Sequence, residues 1–106
     1  MKLMTKEIRK EFEGHKIGSS DGKFPKKVIV KYFTPWSNWT WYGTEFDGED
    51  QFFGYVESGI DPSFSEWGYF SLSELESIQP SKDTFFLKIE RDLHFSGSLN
   101  EKGKVI

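Results

Sequence analysis

Two runs of large rings, WTWYGTEF and QFFGYV, flank the tetrapeptide DGED, and this arrangement commits the middle of the chain to an antiparallel hairpin. Asp and Gly accept the positive φ that a tight turn requires. Aromatic and β-branched side chains suit a pleated, half-buried surface. Residues 39–56 therefore read as two strands and a turn. Side chains alternate across a strand, so Trp39, Trp41, Gly43 and Glu45 share one face with Phe52, Gly54 and Val56. Two glycines among bulky apolar groups mark that face as core, because another element can approach a backbone that lacks Cβ. The opposite face carries Thr40, Tyr42, Thr44 and Phe46 with Phe53 and Tyr55. Its side chains have polar handles, and it reads as half exposed and open to contact.

The surrounding segments extend this sheet. TKEIRKEFEG reads as a helix over about 5–13, with Thr5 as N-cap, Ile8 and Phe12 on one face and Gly14 as the stop. VIVKYF is a β-branched strand ended by TPWSN. WGYF is a short strand running into SLSELESI, where Ser71 and Glu74 form a capping box that opens a helix over about 72–78, with Pro80 stopping it. FFLKIERDLHF offers one or two more strands, and residues 96–106 read as a frayed tail. Only 36% of the 106 residues are hydrophobic, yet there are 11 Phe, 4 Trp and 4 Tyr. At about 150–250 Å² buried per ring, a few large groups suffice for one core. The expected fold is a single compact α+β domain over 1–106, with an antiparallel sheet of four to six strands flanked by two or three short helices.

Charge and cysteine content narrow the function classes. The absence of cysteine excludes disulfides and thiolate metal sites. MKLMTKEIRK has no apolar core of a signal peptide, and no run approaches the roughly 20 apolar residues of a membrane span, so the expected setting is cytoplasmic with no membrane partner. The net charge of −3 is split, with a basic stretch over residues 1–31 and an acidic one over 32–106. Such asymmetry points either to a charged partner or to two oppositely charged segments packed together.

Few motifs carry chemistry. Glu45, Asp47, Glu49 and Asp50 cluster at the hairpin tip but lack the spaced loop of a Ca²⁺ hand. GSSDGK imitates a phosphate loop and fails at Ile17 and Phe24. On a strand, Glu90, Asp92 and His94 would share a face, which makes them the best acid–base or metal constellation in the chain. His15 lies in a basic loop without an evident partner. Lys23, Lys26, Lys27 and Lys31 beside aromatic strands could serve a single-stranded nucleic acid, against a pI of about 5.4.

The blocks MKLMTKEIRK, VKYFTPWSNWTWYGTEFDGEDQFFGYV, GYFSLSELESI and IERDLHF, in this order, resemble the bacterial family known as domain of unknown function 2958. The loop at 14–22, GIDPSFSE and TFFLK depart from the family pattern. The resemblance carries no activity and no catalytic residues. It implies an accessory protein of plasmids, phages and other mobile elements, and hence a non-enzymatic module that binds or inhibits a host protein such as a defence nuclease. No cofactor and no metal are expected. In that reading Tyr42, Phe53 and Tyr55 supply apolar contact, and Glu45, Asp47, Glu49 and Asp50 supply charge. Single-stranded nucleic-acid binding is the second reading, and a small hydrolase or metal-dependent enzyme using Glu90, Asp92 and His94 the third.

Overall fold

In the computed structural model, which describes residues 2–78, 83 and 87–106, both helices begin at hydroxyl caps. The Thr5 hydroxyl accepts the amide of Ile8 at 3.1 Å and opens α1 (Lys6–Phe12). The Ser71 hydroxyl accepts the amide of Glu74 and opens α2 (Leu72–Ser77). Each cap satisfies an amide that the first helical turn leaves without a partner. The strands are β1 (Lys26–Lys27), β2 (Val30–Phe33), β3 (Thr40–Phe46), β4 (Gln51–Glu57), β5 (Glu66–Ser71), β6 (Glu90–Arg91) and β7 (Ser98–Leu99). Five form one antiparallel sheet in the order β5-β4-β3-β2-β6, while β1 and β7 pair separately. The class is α+β, with fewer helices than strands. Pro80 and the Phe85–Phe86 start of the expected last strand lie outside the described residues.

The simple alternation of the central hairpin breaks at one point. Gly43 pairs with Gly54 but Glu45 pairs with Phe53, so Thr44 is an extra residue in β3. Its hydroxyl donates to the Phe53 carbonyl at 3.0 Å. A bulge of this kind shifts every later side chain to the other face. Phe46 therefore joins Trp41 and Phe52 in the core, where alternation alone had put Glu45. Glu45 turns to the opposite face.

Both faces of the sheet are covered. On the first, Tyr32, Trp41, Phe46, Phe52 and Phe70 pack under Phe12 of α1, Leu72 and Leu75 of α2, Leu3 and Ile89. Phe52 is its hub, with ring centroids 4.5 Å from Phe46, 5.0 Å from Phe70 and 5.6 Å from Phe12. The buried Tyr32 hydroxyl donates to the Leu3 carbonyl at 2.6 Å, and burial pushes its pKa well above the ordinary phenol value. Trp39 stacks on Trp41 at 5.9 Å.

On the second face, Val28, Tyr42 and Leu99 form a smaller core with Tyr55, Trp67 and Phe95. Here the expectation of a half-exposed Tyr42 is corrected, because its side chain is buried. The cover comes from residues 96–106, which are folded rather than frayed. β7 pairs with β1, Leu99 is wholly buried and bridges to Val105, and Asn100 Oδ1 accepts the amides of Lys102 and Lys104. The Trp67 indole donates to the Glu101 carbonyl at 2.9 Å. Gly103, at φ +75°, lies on the Tyr55 ring so closely that a Cβ would stand 2.3 Å from it. Only glycine fits there.

Candidate functional site

The acidic residues of the hairpin perform different tasks. Glu45 is 1% exposed, and its carboxylate accepts the amides of Gly18 at 2.8 Å and Ser20 at 3.0 Å together with the Ser20 hydroxyl. It ties the 16–22 loop to the sheet and offers no charge to a partner. That corrects the expectation for this residue, and the bulge at Thr44 is the reason. Lys26, also buried, donates through Nζ to the carbonyl and the hydroxyl of Ser20, so it completes the same network. Asp47 Oδ1 accepts the amides of Glu49, Asp50 and Gln51 and holds the turn. Slight desolvation opposes ionisation of Asp47, but those three donors outweigh it and lower its pKa. Asp50 takes the Ser71 hydroxyl at 2.6 Å, the Ser73 amide at 2.8 Å and the Ser73 hydroxyl at 2.9 Å, which hold its carboxyl below the usual range. It secures the start of α2. Glu49 is exposed at the tip.

Glu90, Asp92 and His94 are not brought together as one reacting set. β6 is only Glu90–Arg91, and the chain turns after it, where Asp92 Oδ1 accepts the amide of His94 at 2.9 Å. That bond lowers the Asp92 pKa first, with slight desolvation opposing and Lys31 assisting. The other Asp92 oxygen lies 3.6 Å from Lys31 Nζ, while Glu90 and His94 are exposed. Among the described residues no group of three or more His, Asp or Glu side chains is placed to hold a metal ion. His15 is half-buried, and its carbonyl accepts the Phe46 amide.

The basic residues near the strands are largely engaged within the fold. Lys27 Nζ is 3.4 Å from Glu11, and Lys31 sits over the rings of Phe95 and Tyr42 at 5.0 and 5.7 Å. Lys23 is exposed. In part, the uneven charge of the chain is one region folding onto the other.

One part of the surface open to contact is a row of rings along β4 and β5, at the rim of the cover of residues 96–106. Phe53 faces Tyr69 across the strand pair, with centroids 5.2 Å apart, and stacks on Trp67 at 6.0 Å. Trp67 meets Tyr55 at 5.3 Å and Phe24, from the preceding loop, at 5.7 Å. Tyr69 is 60% exposed and Phe24 39%. Lys26 Nζ lies 4.8 Å over the Phe24 ring. Of the expected contact residues, Phe53 belongs to this row, Tyr55 is half-buried beneath Gly103, and Tyr42 is out of reach. Trp67, Tyr69 and Phe24 are additions. The first two were legible as the i, i+2 alternation of WGYF, had that strand been placed beside QFFGYV. Aromatic rings fixed on a sheet bind by area and shape, and lose little conformational freedom when covered.

The family described as "Protein of unknown function (DUF2958)" matches residues 3–100 of the chain. No curated protein and no solved structure matches it.

Proposed function

The chain belongs to the DUF2958 family, and from that premise we propose that it is a non-enzymatic binding module that docks a protein partner on the row of Phe24, Phe53, Trp67 and Tyr69. The observation that carries this reading is the exposure of Tyr69, at 60%, within a ring cluster otherwise held by the sheet. Buried aromatic anchors supply much of the energy of protein interfaces, and single exposed rings on small monomers are less telling than contiguous ones. Asp47 and Glu49 at the neighbouring tip steer association with a basic surface. A host defence nuclease, inhibited by this chain as an accessory of a mobile element, is the partner to test first.

Single-stranded nucleic acid is the second reading, favoured by the exposed Phe24 and Tyr69 rings and the exposed Lys23 next to Phe24 in the chain. The deciding experiment is capture of partners from host lysate on the immobilised chain, with and without nuclease treatment. A protein retained after treatment and lost with Tyr69→Ala or Trp67→Ala supports the module. Recovery abolished by nuclease supports the second reading. Retention undiminished by both substitutions overturns the assignment of this face.

A further inference from the structure

β5 is the outer strand of the five-stranded sheet, and one side of it pairs with nothing among the described residues. Antiparallel ladders alternate, each residue pointing its N–H and C=O toward one neighbour. The Leu72 amide donates to the Asp50 carbonyl, in register with the pairs Phe52–Phe70 and Gly54–Gly68. Even-numbered residues of β5 therefore bond β4, and Trp67 and Tyr69 turn their backbone groups outward. Of these two, Tyr69 carries an exposed ring and Trp67 a half-buried one. Proteins ordinarily guard such an edge with Lys, Pro or a bulge. The strand EWGYFS has no Lys or Pro, and its pairing with β4 is continuous.

We propose that this edge receives an extended segment of the partner protein as an added antiparallel strand, apolar in its middle and basic at its ends. The inference rests on the binding-module reading and names how the partner is held. Backbone bonds to Trp67 and Tyr69 give affinity, and alternate side chains of the incoming strand pack on the two rings. The basic ends follow from the charge around β5. Near its start lie Glu57, Asp61, Glu66 and Glu101, against Lys102 and Lys104. Near its end lie Asp47, Glu49, Asp50 and Glu74, against Arg9, whose guanidinium donates to the Gly48 carbonyl. Both ends are acidic on balance. The same pattern disfavours a second copy of this chain, because antiparallel self-pairing would set one acidic end against the other.

The test uses the full chain, labelled with ¹⁵N, and a panel of peptides of about nine residues, long enough to lie along one edge strand. Each has alternating apolar side chains between Lys and Arg ends. Saturable binding is expected, with the largest amide shifts at Trp67 and Tyr69. N-methylation of alternate backbone nitrogens on the bonding side of the peptide should weaken it at least tenfold, as the loss of one or two hydrogen bonds would. Replacing the basic ends by Glu should weaken it by a similar factor, and that difference should shrink at high salt. Equal binding of the N-methylated peptides overturns strand addition, and equal binding of the Glu-ended peptides overturns the charge assignment. No binding across the panel, or a chain dimer in sedimentation that the peptides fail to dissociate, overturns the proposal. Capture of a protein that depends on Tyr69 would survive any of these, so the two readings fail separately.

Discussion

Glu45→Gln tests the most consequential of the internal contacts. The carboxylate accepts three hydrogen bonds, from Gly18 N, Ser20 N and Ser20 Oγ, and it lies across the Ser20 hydroxyl from the buried Lys26 ammonium. Glutamine keeps one acceptor but turns an N–H₂ toward a donor, so at least one bond becomes a donor–donor clash. Hydrogen bonds to a charged group contribute about 1.5–3 kcal/mol each. Lys26, only 5% exposed, also loses the carboxylate that it meets through the Ser20 hydroxyl, and weakening the surroundings of a buried charge adds to that cost. These overlap, and Ser20 is only half-buried, so the expected loss is about 3 kcal/mol, at the low end. At about 4–8 °C per kcal/mol for a domain near this size, the thermal midpoint should fall by at least about 12 °C. Urea unfolding followed by tryptophan fluorescence measures the loss, and thermal unfolding measures the midpoint. Lys26→Met in the Glu45→Gln background should restore part of the loss, with a coupling of at least about 1 kcal/mol. Strictly additive substitutions, or a Glu45→Gln chain as stable as wild type, would refute the network.

Three further outcomes are expected. Leu99→Ala should cost about 2–5 kcal/mol, and deletion of residues 96–106 should raise binding of a hydrophobic dye, because Val28, Tyr42 and Trp67 lose their cover; a mere tail would leave both measurements unchanged. Asp50 has a depressed folded pKa, so the stability it confers is present above about pH 4 and is lost as pH falls through the folded value. Asp50→Asn should flatten the acid limb of a pH–stability curve, and an unaltered limb would count against its capping role. Tyr69→Ala should shift the urea midpoint little while weakening partner capture, and a large shift would mean the ring is structural.

Local signals were the legible part of this fold. Thr5, the Asp47 turn and the Ser71–Glu74 box each act within four residues, and the helices and hairpin form where those caps and turns stand. The features that set the second face are of longer range. A one-residue bulge at Thr44 leaves no trace in a period-2 pattern, because Thr and Glu suit either side of it. The partners of Glu45 lie 25 and 27 residues away in a loop whose composition reads as solvent. β6 and β7 are two residues each, too short for any periodicity, and are held by pairing with β2 and β1. At the candidate site, Phe53 was within reach of strand alternation alone. Trp67 and Tyr69 required the order of the strands, which tertiary pairing decides.

The pairing of β7 with β1 has a consequence for synthesis. The segment that covers Tyr42, Tyr55 and Trp67 is made after everything it covers, and its strand partner lies more than 70 residues earlier. Contacts of such separation form late, since the intervening chain must first lose its freedom. The meander of β2 to β5 needs only neighbouring hairpins and can assemble as it emerges. Through that interval the nascent sheet lacks the cover of its second face, and Phe53 and Tyr69 are the rings beside Trp67 that lie outside that cover after closure. A chain of this design therefore bares, while it is being made, the same side that the proposal assigns to its partner.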